Sequence, residues 1–339
     1  MEEIIGQKSA VDTLLQSIEG DRRHHAFIFA GPLGVGKFTT AIAFAKMLVL
    51  GSSPKQSAHP DLHVIKKEDI AWSKNPILRK RKQTNIPLDL LRERMIGGKT
   101  SDGATHDAVA YKTPMLGGEK VFIIDEAELL DEAGQNALLK TLEEPPAGTT
   151  IILVTCRDDL LLPTVQSRCQ VVGFSPLDDA AMKQWSSSTC SNAPAEDLDF
   201  AIKFSCGSPG VTRDAIDSGI PELARSISTF LELAPTSDYT AASDSIHSYL
   251  SNSVDAQLKE NPLASKEAVN RRAGQRICML FGQAARSMVR GDRRDEGIVA
   301  AGILVDVERQ LSTNISIKVL LESLTARWSH LCKGDATLV

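Results

Sequence analysis

The first residues in this sequence that could do chemistry are a lysine and the glycines that precede it. Gly31, Gly34 and Gly36 lie just before Lys37, and the spacing of Gly31, Gly36 and Lys37 is that of a phosphate-binding loop. Glycine adopts backbone angles that are closed to other residues, so several N–H groups can converge on a phosphate. A helix that begins near Lys37 would add the positive end of its dipole. We therefore predict that these four residues bind the phosphates of a nucleotide.

The residue after this lysine departs from the phosphate-loop pattern. A serine or threonine at this position supplies a hydroxyl to magnesium, and this chain has Phe38 instead. Thr39 comes one position later, which on a helix is a rotation of about 100°. We include Thr39 among the predicted binding residues, although its hydroxyl points elsewhere unless the helix rearranges. We expect weak binding of ATP and Mg²⁺ and negligible ATP hydrolysis by the chain alone.

Two acidic residues follow a second apolar run. Residues 121–124 predict a buried strand, and Asp125 and Glu126 come directly after it. In open α/β sheets, the carboxyl ends of parallel strands form the edge where ligands bind. Asp125 is placed to hold a magnesium ion, usually through water, and Glu126 to polarise an attacking water. Because Phe38 removes a magnesium ligand, we treat Glu126 as a vestigial or weak catalytic residue.

Strands and helices must position these groups at one edge of a sheet. The apolar run Ala26–Ala30 predicts a strand before the loop, and apolar residues at helical spacing after Lys37 predict a helix. A further strand at residues 151–154 ends at Thr155, whose hydroxyl either senses a γ-phosphate or only caps the strand. Near the beginning of the chain, Gln7 either contacts a nucleotide base or belongs to a plain turn. The sequence leaves both alternatives open.

Length and composition bound the class of protein. The chain has 339 residues, of which 42% are hydrophobic and 24% charged, as in soluble globular proteins. No apolar run has the length of a membrane span and the first residues are acidic, so we expect a cytoplasmic protein without membrane contact. The net charge of −5 argues against a surface that binds nucleic acid over its whole area.

Apart from the possible magnesium ion at the phosphate loop and Asp125, the sequence predicts no metal site. The six cysteines are scattered and include no C-x-x-C pair, so neither a disulfide framework nor a zinc site is expected. His59, Asp61 and His63 lie close together in the sequence. They lack a cysteine or a second cluster that would complete a ligand set, which makes the metal interpretation weak.

The order of the patterns predicts an α/β protein with helical additions. Strand patterns end near Phe174, and helical patterns follow. We predict a nucleotide-site domain with a parallel sheet at residues 1–175, a small helical lid at residues 176–235 and an all-α domain at residues 240–339. A linker is predicted near residues 234–237. A chain of this length is too long for one ordinary core.

Four motifs carry a resemblance to a known family. GPLGVGK, IIDEAE, NALLKTLEEPP and SRC, in this order and spacing, resemble the clamp-loader branch of the AAA+ superfamily of P-loop NTPases. Within that branch, IIGQ, His25-Ala26 and His59-Pro60-Asp61 resemble the delta-prime subunits of bacterial DNA polymerase III more than their gamma/tau relatives. The resemblance covers residues 1 to about 220 and the stretch 314–324 of the last helices. The cysteines of the family's usual zinc insertion are missing here.

The resemblance implies a fold and a role. It implies a AAA+ domain, a helical lid and a helical collar that holds a pentamer together. It also implies a part in opening the sliding clamp and loading it on primed DNA during replication. Partners would be the gamma/tau and delta subunits and the sliding clamp, with primed DNA contacted through the complex. Delta-prime subunits of this family hydrolyse ATP poorly or not at all.

The family's Ser-Arg-Cys motif falls on Arg168. The resemblance implies that this arginine acts in trans, on the γ-phosphate of ATP in the next subunit. The alternative is a local ion pair with an acid such as Asp158 or Asp159. The family's lid arginine has its nearest counterpart in Arg213, which is displaced from the expected register.

Two other functions remain as alternatives. Lys37, Asp125 and Glu126 are intact, as in a working gamma/tau-like AAA+ ATPase or another P-loop ATPase of DNA replication or repair. A more distant alternative is a phosphotransferase kinase, for which residues 176–235 offer no acceptor pocket. ATP turnover by the purified protein distinguishes the first alternative from a degenerate site.

Overall fold

Most of the chain is described by a computed structural model. The described residues are 4–19, 24–50, 59–81, 84–116, 118–234, 237–261, 264–311, 313 and 315–332. The turn-rich connection at 51–58 and positions 235 and 236 of the predicted linker lie outside them.

A five-stranded parallel sheet forms the centre of the first part of the chain. Its strands are β1 (Ala26–Ala30), β2 (Leu62–Ile65), β5 (Lys120–Ile124), β6 (Thr149–Thr155) and β7 (Gln170–Gly173). The strands lie in the order β2-β5-β6-β1-β7 and pair in parallel. The loop after β1 and the acids after β5 therefore lie at the same edge of the sheet, on either side of the end of β6.

The three central strands of the sheet, β1, β5 and β6, are buried at every position, and most of their residues are apolar. Along β1, Ala26, Ile28 and Ala30 face one core cluster, while Phe27 and Phe29 face the other. This alternation follows from the two-residue period of a strand. The apolar runs that predicted strands in the sequence are therefore confirmed as buried parallel strands.

Helices cover the sheet and form the rest of the chain. The first seven are α1 (Lys8–Glu19), α2 (Lys37–Leu50), α3 (Pro76–Arg79), α4 (Leu88–Leu91), α5 (Glu132–Glu143), α6 (Pro163–Gln166) and α7 (Asp179–Thr189). Four shorter helices follow: α8 (Ala195–Ser205), α9 (Pro209–Asp217), α10 (Ile220–Ser226) and α11 (Ser228–Leu231). The last four are long: α12 (Tyr239–Glu260), α13 (Lys266–Arg290), α14 (Arg294–Leu311) and α15 (Ile317–Cys332). None of the helices in the described part of the chain has the length and apolar character to cross a membrane.

Single turns and one small ladder complete the secondary structure. The 3₁₀ turns are Lys67–Trp72, Val109–Tyr111, Ala127–Leu129 and Asp158–Leu160, and a π-helical turn is formed by Arg92–Ile96. Strands β3 (Gly98–Lys99) and β4 (Thr105–His106) form an antiparallel ladder of two residues each.

The chain forms two compact units. The first comprises Met1–Thr189 with Gly207–Gly210, and the second comprises Cys190–Cys206 with Val211–Val339. The first unit thus extends past residue 175 to include α7. In the second unit, one apolar core joins α8 and α10 to the four long helices. The predicted finer division into a lid and a collar remains a prediction.

The histidine and aspartate residues before β2 have a structural role. The buried carboxylate of Asp61 accepts hydrogen bonds from the backbone N–H groups of Met115 and Leu116, at 2.8 and 3.2 Å. It also lies 4.0 Å from His59 Nδ1. Asp61 therefore holds the end of the long segment between α4 and β5 against the edge of the sheet.

Candidate functional site

The loop between β1 and α2 has the backbone that a phosphate loop needs. Gly31, Gly34 and Gly36 have φ angles of 152°, 76° and 99°, which side-chain-bearing residues rarely adopt. A Cβ atom at Gly31 would lie 2.3 Å from the backbone oxygen of Phe174. Glycine is thus required at the positions that the sequence analysis selected.

Lys37 turns its ammonium group back onto this loop. Its Nζ atom donates hydrogen bonds to the carbonyl oxygens of Gly31, at 2.7 Å, and Pro32, at 2.5 Å. Burial lowers the pKa of Lys37, and nearby acidic groups, among them Asp125, act in the opposite direction. The loop lysine and the carboxylate after β5 are therefore close enough to interact electrostatically. This is expected of two groups at the same edge of the sheet.

Gln7 binds the loop from the side. Its buried amide donates to the carbonyl oxygens of Val35, at 3.0 Å, and Ser175, at 2.7 Å. The side chain thereby joins the phosphate loop to the segment after β7. These bonds favour the structural alternative for Gln7 over contact with a nucleotide base.

The start of α9 also contacts the loop, within the first unit. Ser208 Oγ donates to the Leu33 carbonyl at 2.7 Å, and the Gly210 backbone N–H donates to the Gly34 carbonyl at 2.8 Å. A Cβ atom at Gly210 would lie 2.8 Å from Gly34 Cα. Two loop carbonyls are thus occupied by this segment, and their backbone is held in place.

The position after the loop lysine has a phenyl ring in place of a hydroxyl. Phe38 is half-buried and packs partly against the core beneath the sheet. Thr39 is exposed on α2, and Thr40 is buried with its Oγ1 donating to the Gly36 carbonyl at 3.0 Å. The role of Thr39 in nucleotide binding remains a prediction.

Both acids after β5 are paired with lysines. Lys66 Nζ lies 3.6 Å from Asp125 Oδ2, and Lys67 Nζ lies 2.6 Å from Glu126 Oε2. Burial raises the pKa of Asp125, and the charge of Lys66 opposes this shift. Glu126 has a left-handed backbone with φ of 52°. The two carboxylates expected to serve magnesium and water thus each have a lysine as partner.

Neither of these two lysines was predicted from the sequence to belong to the site. Lys66 and Lys67 come directly after β2, and β2 is the neighbour of β5 in the sheet. The rule that identified Asp125, that residues following a parallel strand reach the ligand edge, would have identified them as well. The missing information was the strand order, which places β2 beside β5.

The residues present do not fit a magnesium ion in the usual phosphate-loop arrangement. Such an ion is held by the hydroxyl after the loop lysine and by the carboxylate after the acidic strand. Here these two positions carry Phe38 and the lysine-paired Asp125. Within the described ranges, no three His, Cys, Asp or Glu side chains are grouped so that they could hold a metal ion.

The end of β6 lies between the loop and the acids. Thr155 Oγ1 accepts a hydrogen bond from the backbone N–H of Arg157 at 3.0 Å, which caps the strand. Next to it, Cys156 Sγ donates to Glu128 Oε1 at 2.8 Å, and burial raises the pKa of this thiol to about 12. Cys156 is therefore a protonated thiol at neutral pH. A γ-phosphate contact of Thr155 remains a prediction.

Arg168 lies after α6, and its guanidinium is bound by the carboxylate of Glu143 and by the Thr164 carbonyl, the latter at 2.7 Å. Its Nε donates to Glu143 Oε1 at 2.8 Å, and its side chain is 33% exposed. The local partner is thus Glu143 at the end of α5, not Asp158 or Asp159. Asp159 already pairs with Arg157 at 2.7 Å, and the packing of α5 on α6 brings Glu143 close to Arg168.

The sheet order, the glycine loop after β1 and the acids after β5 define the class of this chain, which is a phosphate-loop α/β protein of the AAA+ type. The loop and the acids meet at one edge, and the helical second unit follows. A family model described as "DNA polymerase III, delta subunit" matches residues 6–178. The chain belongs to this family.

Several curated relatives share this region. The tau/gamma subunit of Haemophilus influenzae DNA polymerase III is 32% identical over 219 residues, which are 63% of this chain and 29% of that protein. The delta' subunit of Pseudomonas aeruginosa is 29% identical over 225 residues, which are 62% of this chain and 61% of that protein. The delta' subunit of Escherichia coli is 30% identical over 213 residues, which are 59% of this chain and 56% of that protein.

The matches cover parts of these relatives, between 29% and 61% of their length. Among solved structures, a DNA polymerase III gamma subunit-related protein of Thermotoga maritima is similar at 17% identity and a TM-score of 0.47. That similarity covers 95% of this chain and 99% of the Thermotoga protein.

Proposed function

We propose that this chain is a clamp-loader subunit of the delta-prime type, which helps to open the sliding clamp and load it on primed DNA during replication. In this role it assembles with gamma/tau and delta subunits and meets DNA through the complex. Family membership and the matches to delta' and tau/gamma relatives support the class of subunit. The observation that carries the delta-prime role is Phe38, together with Lys66, at the magnesium position.

The chain's own nucleotide site is degenerate in this proposal. Phosphoryl transfer needs little covalent help from the protein, so catalysis depends on a well-placed metal ion and on groups that stabilise the developing charge. Phe38 offers no metal ligand, Asp125 is paired with Lys66, and Glu126 is paired with Lys67. The loop amides and Lys37 still suit a phosphate, so weak binding of ATP is compatible with negligible hydrolysis.

Arg168 supplies the in-trans function. It follows α6, and one-third of its side chain is exposed. Among the described residues, the carboxylate of Glu143 pairs with it, and its Nη1 donates to the Thr164 carbonyl at 2.7 Å. A surface ion pair of this kind is worth about 0 to 1 kcal/mol, so the guanidinium is readily released to a stronger anion. In the assembled complex it serves the γ-phosphate of the adjacent subunit.

A second function rests on the acids and the loop lysine. Lys37, Asp125 and Glu126 lie at one sheet edge, as a gamma/tau-like ATPase requires, and a tau/gamma relative is among the matches. In that case Lys66 and Lys67 would have to leave the two carboxylates when a metal ion arrives.

The first prediction concerns ATP turnover by the isolated chain. We expect turnover at the background level set by a Lys37→Ala variant, because the metal position lacks its hydroxyl. The assay measures phosphate release by the purified protein, alone and mixed with gamma/tau. If the parent chain alone hydrolyses ATP well above the Lys37→Ala background, the ATPase alternative holds and the degenerate-site proposal is wrong.

The second prediction concerns assembly through the long helices. Ile298 and Val305 are 54% and 55% exposed and lie seven residues apart on α14, which places them on one face. We expect that changing both to aspartate abolishes co-elution with gamma/tau and delta subunits, since charge is disfavoured in the core of an interface. The fold should persist because neither residue belongs to the buried core.

The control for assembly is Ile77→Asp with Met115→Asp, which introduces the same two charges at apolar residues of the first unit that are 46% and 76% exposed. It should co-elute like the parent. Size-exclusion chromatography of the mixtures, with circular dichroism of each variant, provides the measurement. Normal co-elution of the α14 variant would show that assembly does not use this face. A deletion of residues 240–339 is less informative, because it would expose core residues of α8 and α10.

A further inference from the structure

A lysine ammonium stands between the two groups that normally hold the metal ion of a phosphate loop. Lys66 Nζ lies 3.9 Å from the centroid of the Phe38 ring and 3.6 Å from Asp125 Oδ2. In working phosphate loops the corresponding two positions, the residue after the loop lysine and the acid after the strand, both serve magnesium. Here one internal cation faces both of them.

The Lys66 ammonium can interact favourably with both the Phe38 ring and the Asp125 carboxylate. An aromatic ring cannot coordinate magnesium through a lone pair, but the negative potential of its face attracts an ammonium group. Asp125 is only 22% exposed, and burial without a counter-charge would raise its pKa further. Glu68 adds a second negative charge nearby, so a cation at this position is electrostatically favoured.

The backbone fixes the position of Lys66. It comes directly after β2, which pairs in parallel with β5, and its backbone N–H donates to Asp69 Oδ2 at 2.9 Å. The lysine stem therefore starts from a strand end that is hydrogen-bonded to the strand that presents Asp125. Lys67, its neighbour, pairs with Glu126 and not with Asp125.

We propose that Lys66 is the resident cation of this site, and that its ammonium and the Phe38 ring together take the place of the divalent ion and its hydroxyl ligand. This inference rests on the degenerate site proposed above and deepens it. It assigns the exclusion of the ion to two residues instead of one. Restoring a hydroxyl at position 38 alone therefore does not restore metal binding, because Lys66 still occupies the carboxylate.

The test compares metal binding in single and double variants of the full chain. The probe is Mn²⁺ with ATP, and bound Mn²⁺ is measured by electron paramagnetic resonance. We expect Phe38→Thr alone to bind Mn²⁺·ATP like the parent. We expect Phe38→Thr with Lys66→Met to bind it at least about tenfold more tightly, a change of the size seen when groups around a metal are altered. Methionine keeps most of the stem of Lys66 but not its charge.

A matched control removes one lysine, as the test variant does, but a different one. Phe38→Thr with Lys67→Met removes the neighbouring lysine, which pairs with Glu126, and should bind Mn²⁺·ATP like the parent. Circular dichroism verifies that each variant is folded, and Lys66→Ala with Phe38→Thr provides a second double variant should the methionine variant not fold. The inference is overturned if Phe38→Thr alone gains the full affinity, if the Lys67 double variant gains as much, or if no folded Lys66 double variant gains any.

These outcomes are separable from those that test the proposed function. A parent chain that hydrolyses ATP contradicts the delta-prime role itself. A parent chain without turnover whose Phe38→Thr variant alone recovers Mn²⁺ binding leaves that role intact and contradicts only the assignment of Lys66.

Discussion

Replacing Arg168 with alanine is expected to leave this chain folded and able to enter the proposed clamp-loader complex, while ATP hydrolysis by the complex falls by about the share of one site. Arginine fingers raise the rate of hydrolysis at the site they serve by a factor of roughly 10³ to 10⁵. Without the guanidinium, that site should therefore show almost no hydrolysis. Arg168→Lys should not rescue it, because an ammonium cannot reproduce the planar, bidentate guanidinium. The measurement is clamp- and DNA-stimulated phosphate release.

Two control variants separate this role from a local ion pair. Arg157→Ala removes another exposed arginine that pairs with an acid, Asp159, and should leave hydrolysis unchanged. Glu143→Gln breaks the ion pair of Arg168 but keeps the guanidinium, so it should retain hydrolysis. If Arg168→Ala complexes load clamps and hydrolyse ATP like the parent, the arginine is structural. The same holds if Glu143→Gln causes an equal loss.

Replacing Trp328 with alanine is expected to destabilise the second unit by about 3 to 5 kcal/mol, the usual cost of deleting a buried aromatic side chain. The indole is fully buried, its ring lies edge-on to Phe281 with centroids 4.8 Å apart, and its Nε1 donates to the Phe230 carbonyl at 3.1 Å. The substitution thus leaves a cavity and removes one hydrogen bond to the Phe230 carbonyl, which also accepts from the Leu233 backbone N–H at 3.2 Å. Urea unfolding followed by far-ultraviolet circular dichroism measures the loss, since this unit is helical.

The control for this prediction is Trp72→Ala. Trp72 is 73% exposed, and exposed substitutions usually change stability by less than about 0.5 kcal/mol. Equal unfolding midpoints for the two tryptophan variants would show that the aromatic core around Trp328 does not stabilise the unit. A large effect confined to Trp328→Ala would support it.

Local patterns were sufficient to predict the three central strands of the sheet and the helix after the loop. The strand before the loop has the predicted bounds, Ala26–Ala30, and the following helix begins at Lys37 as predicted. The all-α character predicted for residues 240–339 is found in the described residues of this range, which form the four long helices. These elements are predictable because period and composition act over a few residues, and because buried parallel strands are apolar on both faces.

The candidate site was predictable in part. The three loop glycines occupy positive φ angles, and a phosphate loop requires such angles whatever the rest of the chain does. The acids Asp125 and Glu126 were found because they follow an apolar run. Their partners were not, since nothing in a single sequence says that the strand before Lys66 is the neighbour of the strand before Asp125.

The sequence by itself determined the three glycines and the lysine of the predicted phosphate loop, the phenylalanine that follows this lysine, and the Ser-Arg-Cys motif that contains Arg168. Only the tertiary structure decided which charges meet. Strand order brought Lys66 to Asp125, and helix packing gave Arg168 the partner Glu143 in place of an acid nearer in the chain. Ion pairs depend on distances of a few ångströms between residues far apart in sequence, and those distances exist only once the sheet and its helices are assembled.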